Sequence, residues 1–279
     1  MKRLSEHLPD LRRRLSLGAV YTDLDGTLFG PGSSLFADAE GRVTTRAAEA
    51  VAALHRASVP LVPLSGRTRL QVREVSRIMG ARDFVAEMGG LVCLDGEAEV
   101  IRTSSHLAGA GTPVDAMARS GAAGLLLEAF AGRLEPHAPW AFEPREVSML
   151  FRGQVDLDEA RRVLDEAGHR WLALRDNGVI RRPFPGLEVA EVHAYHLLPA
   201  AVSKAAAVAE HSRRRGLTRE ACLVIGDSGA DAEVAPHVGA VCIVANGASS
   251  VSGPADGVYV TDGAYGEGFA EAVEALLGV

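Results

Sequence analysis

The chain has 279 residues, of which 47% are hydrophobic, and a formal net charge of −7 at pH 7. This indicates a globular protein of one or two domains and argues against nucleic acid as a partner. Its apolar runs are shorter than the roughly 18 residues that cross a bilayer, and its basic N-terminus lacks the apolar stretch of a signal peptide. We therefore expect no membrane partner. The three cysteines lie far apart in apolar sequence, so we expect free thiols in a reducing cytoplasm.

The first part of the chain alternates between helix and strand patterns. Leucines at helical spacing predict a short amphipathic helix at the N-terminus, and an apolar run predicts a buried strand near residues 18–23. The next predicted elements are a helix at 44–57, a strand at 59–64, a helix at 69–79 and a strand at 84–86. Strands that alternate with helices in this way predict a doubly wound α/β fold.

The middle of the chain has a different pattern. The predicted elements there are a strand at 146–153, a helix at 156–167 and strands at 171–175, 179–182 and 187–192. The sequence Asp176-Asn177-Gly178 is a strong signal for a hairpin turn. Helices beside hairpin-linked strands predict a small α+β domain inserted over residues 91–195.

Alternation of helix and strand returns after this insertion. The predicted elements are a helix at 203–215, strands at 221–225 and 240–245, and a closing helix at 269–277. Residues 1–90 and 196–279 are therefore expected to form one core domain.

Two carboxylates, Asp23 and Asp25, come where the first strand should end, and Gly26 then permits a tight turn. Ligands bind at the carboxyl ends of strands in open α/β sheets. Two acids with no base between them repel each other unless a cation or a bound proton intervenes. The pair therefore indicates a divalent metal, a reactive carboxylate, or both. The alternative is an acidic turn on the surface.

Three further segments fit this first one. Ser65 and Gly66 follow the second strand and could form an anion site, the alternative being a serine that only caps a helix. Asp227 and Asp231 follow a later strand and lie on one side of a helical turn, although a helix N-terminus by itself favours an acid at Asp231. Lys204 is the sole lysine outside the N-terminal tail among 29 basic residues. Several carboxylates of this kind suit Mg²⁺ beside a phosphate.

Together these segments resemble the motifs of the haloacid dehalogenase-like phosphatases. The matching stretches, in the family's order, are Asp23-Leu24-Asp25-Gly26-Thr27, Leu64-Ser65-Gly66-Arg67, Lys204 and Gly226-Asp227-Ser228-Gly229-Ala230-Asp231. The long insertion between the second and third motifs resembles the Cof-type branch, which includes sucrose-phosphate and mannosyl-phosphoglycerate phosphatases. The resemblance implies a doubly wound, Rossmann-like core with an inserted α+β cap domain that selects the substrate.

The resemblance also implies a Mg²⁺-dependent phosphomonoester hydrolase. Asp23 would attack phosphorus and form an aspartyl-phosphate, while Asp25 would act as general acid and then as general base. The Asp23 carboxylate, the Asp25 carbonyl oxygen and Asp227 would hold Mg²⁺. The residues that would bind the phosphoryl group are Ser65, Gly66 and Lys204. The residues that would support the site are Thr27, Arg67, Ser228 and Asp231.

The sequence says less about the substrate. A small soluble phosphate ester is expected, with a phosphosugar or phosphorylated glycoside favoured by the resemblance. The candidates for substrate contact in the cap are Arg175, Arg181, Arg182 and His196, and for His196 the alternative is packing or a backbone hydrogen bond.

Three other functions remain open at this stage. A phosphomutase shares the first motif. A weakly active phosphate-binding or regulatory protein would fit Ala230, which stands where asparagine is frequent in this branch. A structural or interaction protein would tolerate loss of the acids, and the sequence leaves the oligomeric state undetermined.

Overall fold

The computed structural model describes residues 1–104, 111–180, 184–251 and 256–278. The strands are β1 (Lys2–Arg3), β2 (Ala19–Thr22), β3 (Leu61–Pro63), β4 (Phe84–Ala86), β5 (Leu91–Leu94), β6 (Glu99–Arg102), β7 (Leu134–Pro136), β8 (Met149–Gly153), β9 (Leu172–Val179), β10 (His193–Pro199), β11 (Cys222–Gly226), β12 (Ala240–Ile243) and β13 (Val258–Val260). The helices are α1 (Leu4–Arg14), α2 (Arg46–Arg56), α3 (Arg69–Ile78), α4 (Pro113–Ser120), α5 (Ala122–Ala129), α6 (Leu157–Glu166), α7 (Lys204–Arg215), α8 (Gly229–Ala232) and α9 (Tyr265–Leu277). In these described ranges, no helix is long and apolar enough to span a membrane.

The chain divides into two compact units, residues 1–101 with 204–279 and residues 102–203. These limits differ from the boundaries of 91 and 195 expected from the sequence, and strand pairing explains the difference. β5 pairs with β4 and so belongs to the first unit, while β10 lies between β8 and β9 in the second.

The first unit is built on a six-stranded sheet with the order β1-β13-β12-β11-β2-β3. Neighbouring strands are parallel, as shown by the β2–β3 and β2–β11 pairs. Alternate residues of each strand face opposite sides: Val20 packs in the cluster that includes Leu54 of α2 and Phe269 of α9. Tyr21 packs in the other cluster, with Val208 of α7. Apolar residues on both faces are what a parallel sheet covered by helices requires, and the predicted doubly wound α/β fold is confirmed.

Parallel strands end at the same edge of their sheet, and this determines where polar side chains collect. Asp23 directly follows β2, Ser65 comes shortly after β3, and Asp227 directly follows β11. Since β2 lies between β3 and β11 in the sheet, these residues leave neighbouring strands at one edge. The fold thus places segments far apart in sequence around the end of β2.

The second unit has a four-stranded antiparallel sheet with the order β7-β8-β10-β9. Its core joins apolar residues of the helices, such as Leu126 of α5 and Leu164 of α6, to strand residues such as Phe151 and Tyr195. Helices and an antiparallel sheet that share one core make this unit α+β, as the sequence predicts.

Two predictions in this unit are wrong. The segment Asp176-Asn177-Gly178 is not a hairpin turn, because β9 continues through it. The Asp176 carboxylate accepts a hydrogen bond from the Gly178 amide at 2.7 Å, and the pairing register with β10 shifts between His193 and Tyr195. This is the signature of a β-bulge, which absorbs a turn-like residue inside a strand. The strand predicted at 187–192 instead lies at 193–199.

Candidate active site

The end of β2 places Asp23 in the interior of the first unit. Its amide donates a hydrogen bond to the Ile225 carbonyl of β11 at 2.9 Å, which continues the β2–β11 ladder. The residue is only 7% exposed. A buried carboxylate requires a partner for its charge, and the structure supplies one from α7.

That partner is Lys204, the first residue of α7. Its ammonium donates to Asp23 Oδ1 at 2.8 Å and to Asp231 Oδ1 at 2.7 Å. Burial alone would lower the pKa of Lys204, but the two carboxylates outweigh burial and raise it. The ammonium is therefore charged at neutral pH and links β2 to the segment after β11.

Asp227 lies against the turn that follows Asp23. Thr27 Oγ1 donates to Asp227 Oδ1 at 3.3 Å. Gly26 has a φ of +89°, and a Cβ at this position would lie 2.2 Å from Asp227 Oδ2. Only glycine fits this close approach, which explains why a glycine follows the Asp23–Asp25 pair.

Asp231 is fully buried and organises the loop after β11. Its Oδ2 accepts hydrogen bonds from the amides of Asp227 at 3.3 Å and Ser228 at 3.1 Å, and from Ser228 Oγ at 2.5 Å. The other oxygen accepts from Lys204. The acid therefore has both roles considered from the sequence, since it caps the start of a short helical turn and belongs to the charged cluster.

The charges in this cluster are unbalanced. Burial, together with the charges of Asp231 and Asp227, raises the pKa of Asp23 although Lys204 opposes the shift. Burial and the charge of Asp231 raise the pKa of Asp227 to about 7. One ammonium therefore does not compensate the buried acids, and a divalent cation with a preference for oxygen ligands, such as Mg²⁺, fits this donor set.

Within the described ranges, no three His, Cys, Asp or Glu side chains converge as a ready-made metal site. The ligand set implied by the resemblance does not require that, because it contains two carboxylates, Asp23 and Asp227, and the Asp25 carbonyl oxygen. The Asp25 carboxylate points to a different partner.

Arg67 binds the Asp25 carboxylate through two parallel hydrogen bonds. Its Nε donates to Oδ2 and its Nη2 to Oδ1, both at 2.6 Å. Ser33 Oγ also donates to Oδ1, at 2.8 Å. The guanidinium carbon lies 5.4 Å from the centroid of the Phe29 ring, within the range of a cation–π contact. The first and second motifs are thus joined by an ion pair.

Ser65 is buried after β3 and does not cap a helix. The N-cap of α3 is Thr68, whose side chain forms a capping box with Gln71. Ser65 Oγ accepts a hydrogen bond from the Arg67 amide at 3.2 Å. The Ser65 amide is already bonded to the Val85 carbonyl at 3.0 Å, so this amide is not available to an anion, and phosphate binding by Ser65 and Gly66 stays a prediction.

The cap candidates have different outcomes. His196 is buried in β10, which fits the alternative of packing, and its Nδ1 lies 3.2 Å from a side-chain oxygen, Ser148 Oγ. Arg175 Nη2 donates to the Ala200 carbonyl at 3.3 Å. Arg181 and Arg182 lie outside the described residues, and substrate contact by these four side chains remains a prediction.

The structure also adds Asn246, which the sequence reasoning did not select. Its Nδ2 donates to the Gly26 carbonyl at 2.8 Å, and its Oδ1 accepts from the Tyr265 amide at 2.7 Å. The next residue, Gly247, lies so close to Asp227 that a Cβ would be 2.2 Å from the Asp227 carbonyl oxygen. Its position could have identified it from the sequence, since Asn246 follows the end of β12 at the same sheet edge as Asp23 and Asp227.

Comparisons with known proteins agree with this architecture. The sequence model of haloacid dehalogenase-like hydrolases matches residues 187–273. A phosphoglycolate phosphatase of Methanoculleus marisnigri is 27% identical over 92% of this chain and 96% of its own length, and one of Methanothrix thermoacetophila is 29% identical over 92% and 95%. The sucrose-phosphatase structure from Synechocystis superposes with a TM-score of 0.63 over 94% of this chain and 98% of that one, at 16% identity.

These matches confirm the resemblance to the haloacid dehalogenase-like hydrolases, with a Rossmann-like core and an inserted domain. The relatives, phosphoglycolate phosphatases by name, also support the prediction that the chain is an enzyme of the phosphatase class.

Proposed function

We propose that this chain is a Mg²⁺-dependent phosphomonoester hydrolase that forms an aspartyl-phosphate on Asp23. The observation that carries the proposal is the buried cluster at the end of β2, where Lys204 joins Asp23 to Asp231 and Asp227 lies against Gly26. A buried carboxylate beside a fixed ammonium can attack phosphorus while that ammonium attracts the phosphoryl oxygens.

The chain's own residues account for both steps of the hydrolysis. An Asp23 oxygen forms a bond to phosphorus while the bond from phosphorus to the ester oxygen breaks, and Asp25 gives its proton to the departing alkoxide. Asp25 then takes a proton from water as the water oxygen bonds to phosphorus. The Asp23–phosphorus bond breaks, which releases inorganic phosphate and restores both carboxyl groups.

Lys204 has a position suited to both steps. An ammonium has three N–H donors, and among the described residues Asp23 and Asp231 accept two of them. The third can bind a phosphoryl oxygen, together with Ser65 Oγ and the Gly66 amide. Since the Lys204 ammonium also donates to Asp23, the same ammonium would bind both the nucleophile and the phosphate.

The Asp23 and Asp227 carboxylates and the Asp25 carbonyl oxygen would hold Mg²⁺, supported by the hydrogen bonds of Thr27 and Asp231. When bound, the ion offsets the repulsion between an anionic nucleophile and an anionic phosphate. Burial and neighbouring carboxylates raise the pKa values of Asp23 and Asp227, and this uncompensated negative charge supports a site for such a cation.

The substrate that we propose is a phosphate ester of a small hydroxy acid, with phosphoglycolate as the first compound to test. The relatives that bear this name match 92% of the chain, whereas the likeness to sucrose-phosphatase is one of fold at 16% identity. This moves the expectation away from the phosphosugar favoured by the sequence. The three cysteines are buried free thiols, which supports action in a reducing compartment such as the cytoplasm.

The structure offers a reason to prefer an active enzyme over an idle phosphate-binding protein. Ala230 lacks the amide frequent in this branch, but Asp231 orders the loop through the amides of Asp227 and Ser228. Asp231 therefore holds the loop that presents Asp227 with alanine at residue 230.

The test is phosphate release from a panel of phosphoglycolate, sugar phosphates and nucleotides, with Mg²⁺ and with a chelator. We expect Mg²⁺-dependent release, fastest from phosphoglycolate. Transfer of phosphate to a second sugar position, without net release, would instead identify a phosphomutase. Preference for a sugar phosphate would overturn the substrate assignment while leaving the hydrolase assignment in place.

A further inference from the structure

The Asp25 carboxylate is occupied in a way that conflicts with its proposed chemistry. Both of its oxygens accept hydrogen bonds from Arg67, and Oδ1 also accepts one from Ser33. A general acid has to present its proton to the ester oxygen, and a general base has to accept one from water. The three hydrogen bonds use three of the roughly four lone-pair sites of a carboxylate, so the Arg67 contacts restrict how Asp25 can meet the ester oxygen or water.

The Arg67 backbone is fixed by hydrogen bonds, and its side chain is less exposed than that of Asp25. The Arg67 side chain is 25% exposed and the Asp25 side chain 47%. The Arg67 amide is bonded to Ser65 Oγ, and its carbonyl accepts from the Glu87 amide at 3.0 Å. These bonds fix the backbone of Arg67, and the Phe29 ring, 5.4 Å from the guanidinium carbon, still lies beside the guanidinium when Asp25 turns away.

A planar guanidinium that binds one carboxylate through two bonds can bind another in the same way. In an ester such as phosphoglycolate, a single methylene separates the substrate carboxylate from the ester oxygen that Asp25 protonates. An Asp25 that reaches this oxygen therefore leaves Arg67 close to the substrate carboxylate. Exchange of one carboxylate for another would keep the guanidinium paired throughout.

The geometry points to Arg67 as the residue that selects the leaving group: it exchanges the Asp25 carboxylate for the carboxylate of the substrate and so frees Asp25 for proton transfer. This inference rests on the proposed function and deepens it. An ester with an uncharged leaving group offers no replacement, so it has to break the Asp25–Arg67 pair without compensation. The site thereby favours phosphate esters of hydroxy acids.

The test compares two nearly isosteric esters, phosphoglycolate and glycolamide phosphate, in which a neutral carboxamide replaces the carboxylate. The measured quantity is the ratio of their kcat/KM values, which cancels general damage to the site. The wild-type ratio should favour phosphoglycolate, and Arg67→Met should lower it by roughly 10- to 100-fold, the range for a hydrogen bond to a charged group. Arg67→Lys keeps the charge without the two-pronged geometry and should give an intermediate ratio.

The matched control is Arg42→Met, because Arg42 also binds an aspartate, Asp38, with its Nε 2.7 Å from Oδ2 on the surface of the same unit. This variant should leave the ratio unchanged. A wild-type ratio near one, or equal losses on both esters in Arg67→Met, would overturn the inference and leave the hydrolase intact. Absence of phosphate release from either ester by the folded wild-type protein, with Mg²⁺ present, would overturn the proposed function and the inference together.

Discussion

Replacement of Lys204 by methionine tests whether the charged cluster holds the first unit together. Lys204 is 2% exposed and contacts two carboxylates, at 2.8 and 2.7 Å. At an effective dielectric constant of about 20, each contact corresponds to roughly 6 kcal/mol of Coulomb energy. Desolvation of the ammonium and the acids offsets much of this. Removal of one partner from a buried ion pair typically costs about 3–5 kcal/mol, and this is the loss of unfolding free energy that we expect.

The pH dependence of this loss has a definite sign. The pKa of Lys204 is raised in the folded protein, so its contribution is complete below the ordinary lysine pKa of about 10.4 and is lost as the pH rises through the folded value. The loss in Lys204→Met should therefore be fully present at pH 8. It should shrink as the pH falls below about 7, because burial and Asp231 raise the pKa of Asp227 to about 7 and its charge is lost there, and the raised pKa of Asp23 acts in the same direction.

The measurement is urea unfolding with a chelator present, followed by circular dichroism, because both tryptophans, Trp140 and Trp171, lie in the second unit. The control is Lys2→Met at the chain's other lysine, which is 54% exposed and 3.9 Å from Asp256. That variant should stay within about 0.5 kcal/mol of wild type. A loss below about 1 kcal/mol in Lys204→Met at pH 8 would refute the reasoning.

Three further predictions follow from the same site and its surroundings. Asp23→Asn should abolish phosphate release while circular dichroism shows an intact fold, and turnover at the wild-type rate would exclude the covalent route. Gly26→Ala should destabilise the protein by more than the roughly 1–3 kcal/mol of a left-handed residue, because its Cβ would lie 2.2 Å from Asp227 Oδ2, whereas Gly32→Ala, at φ +71° with nothing within 4 Å, should show only the backbone cost in thermal unfolding. Although partial burial opposes the shift, hydrogen bonds from His211 and Arg215 lower the pKa of Asp83 in the folded protein. Asp83 therefore adds stability above its ordinary pKa, and this stability is lost in acid. Between pH 7 and pH 3, Asp83→Asn should lose less unfolding free energy than wild type, and equal losses would contradict this.

The sequence predicted the parts of the fold that depend on local pattern. The strand at Phe84–Ala86 has the predicted limits, and the helix predicted at 203–215 begins one residue later, at Lys204. The helix ends before a clear glycine signal, Gly216, and the strand is a short apolar run. The position of acids at strand ends was predictable for the same reason, because parallel strands expose their carboxyl ends at one edge.

The failures in the second unit have a different cause. Asp176-Asn177-Gly178 is a strong local turn signal, yet pairing with β10 keeps the chain extended through it. β9 is the edge strand of its sheet, with β10 as its neighbour, and the hydrogen bonds of this pair outweigh the local preference for a turn. The partner strand starts at His193, within a stretch that the sequence reasoning placed at the boundary of the insertion, so the competing interaction was hidden.

The partners of the charged residues were the least predictable feature, and they bear directly on function. The scarcity of lysine singled out Lys204, and the family resemblance assigned it to phosphate, but the structure shows it bonded to Asp23 and Asp231. The two roles are compatible on grounds of charge. Asp25 and Arg67 neutralise each other, while Asp23, Asp227 and Asp231 face one ammonium, so ionised carboxylates leave an excess of two negative charges. A phosphate dianion enters such a site more favourably when a divalent cation enters as well, and the arrangement of the chain's own charges supports the proposed metal dependence.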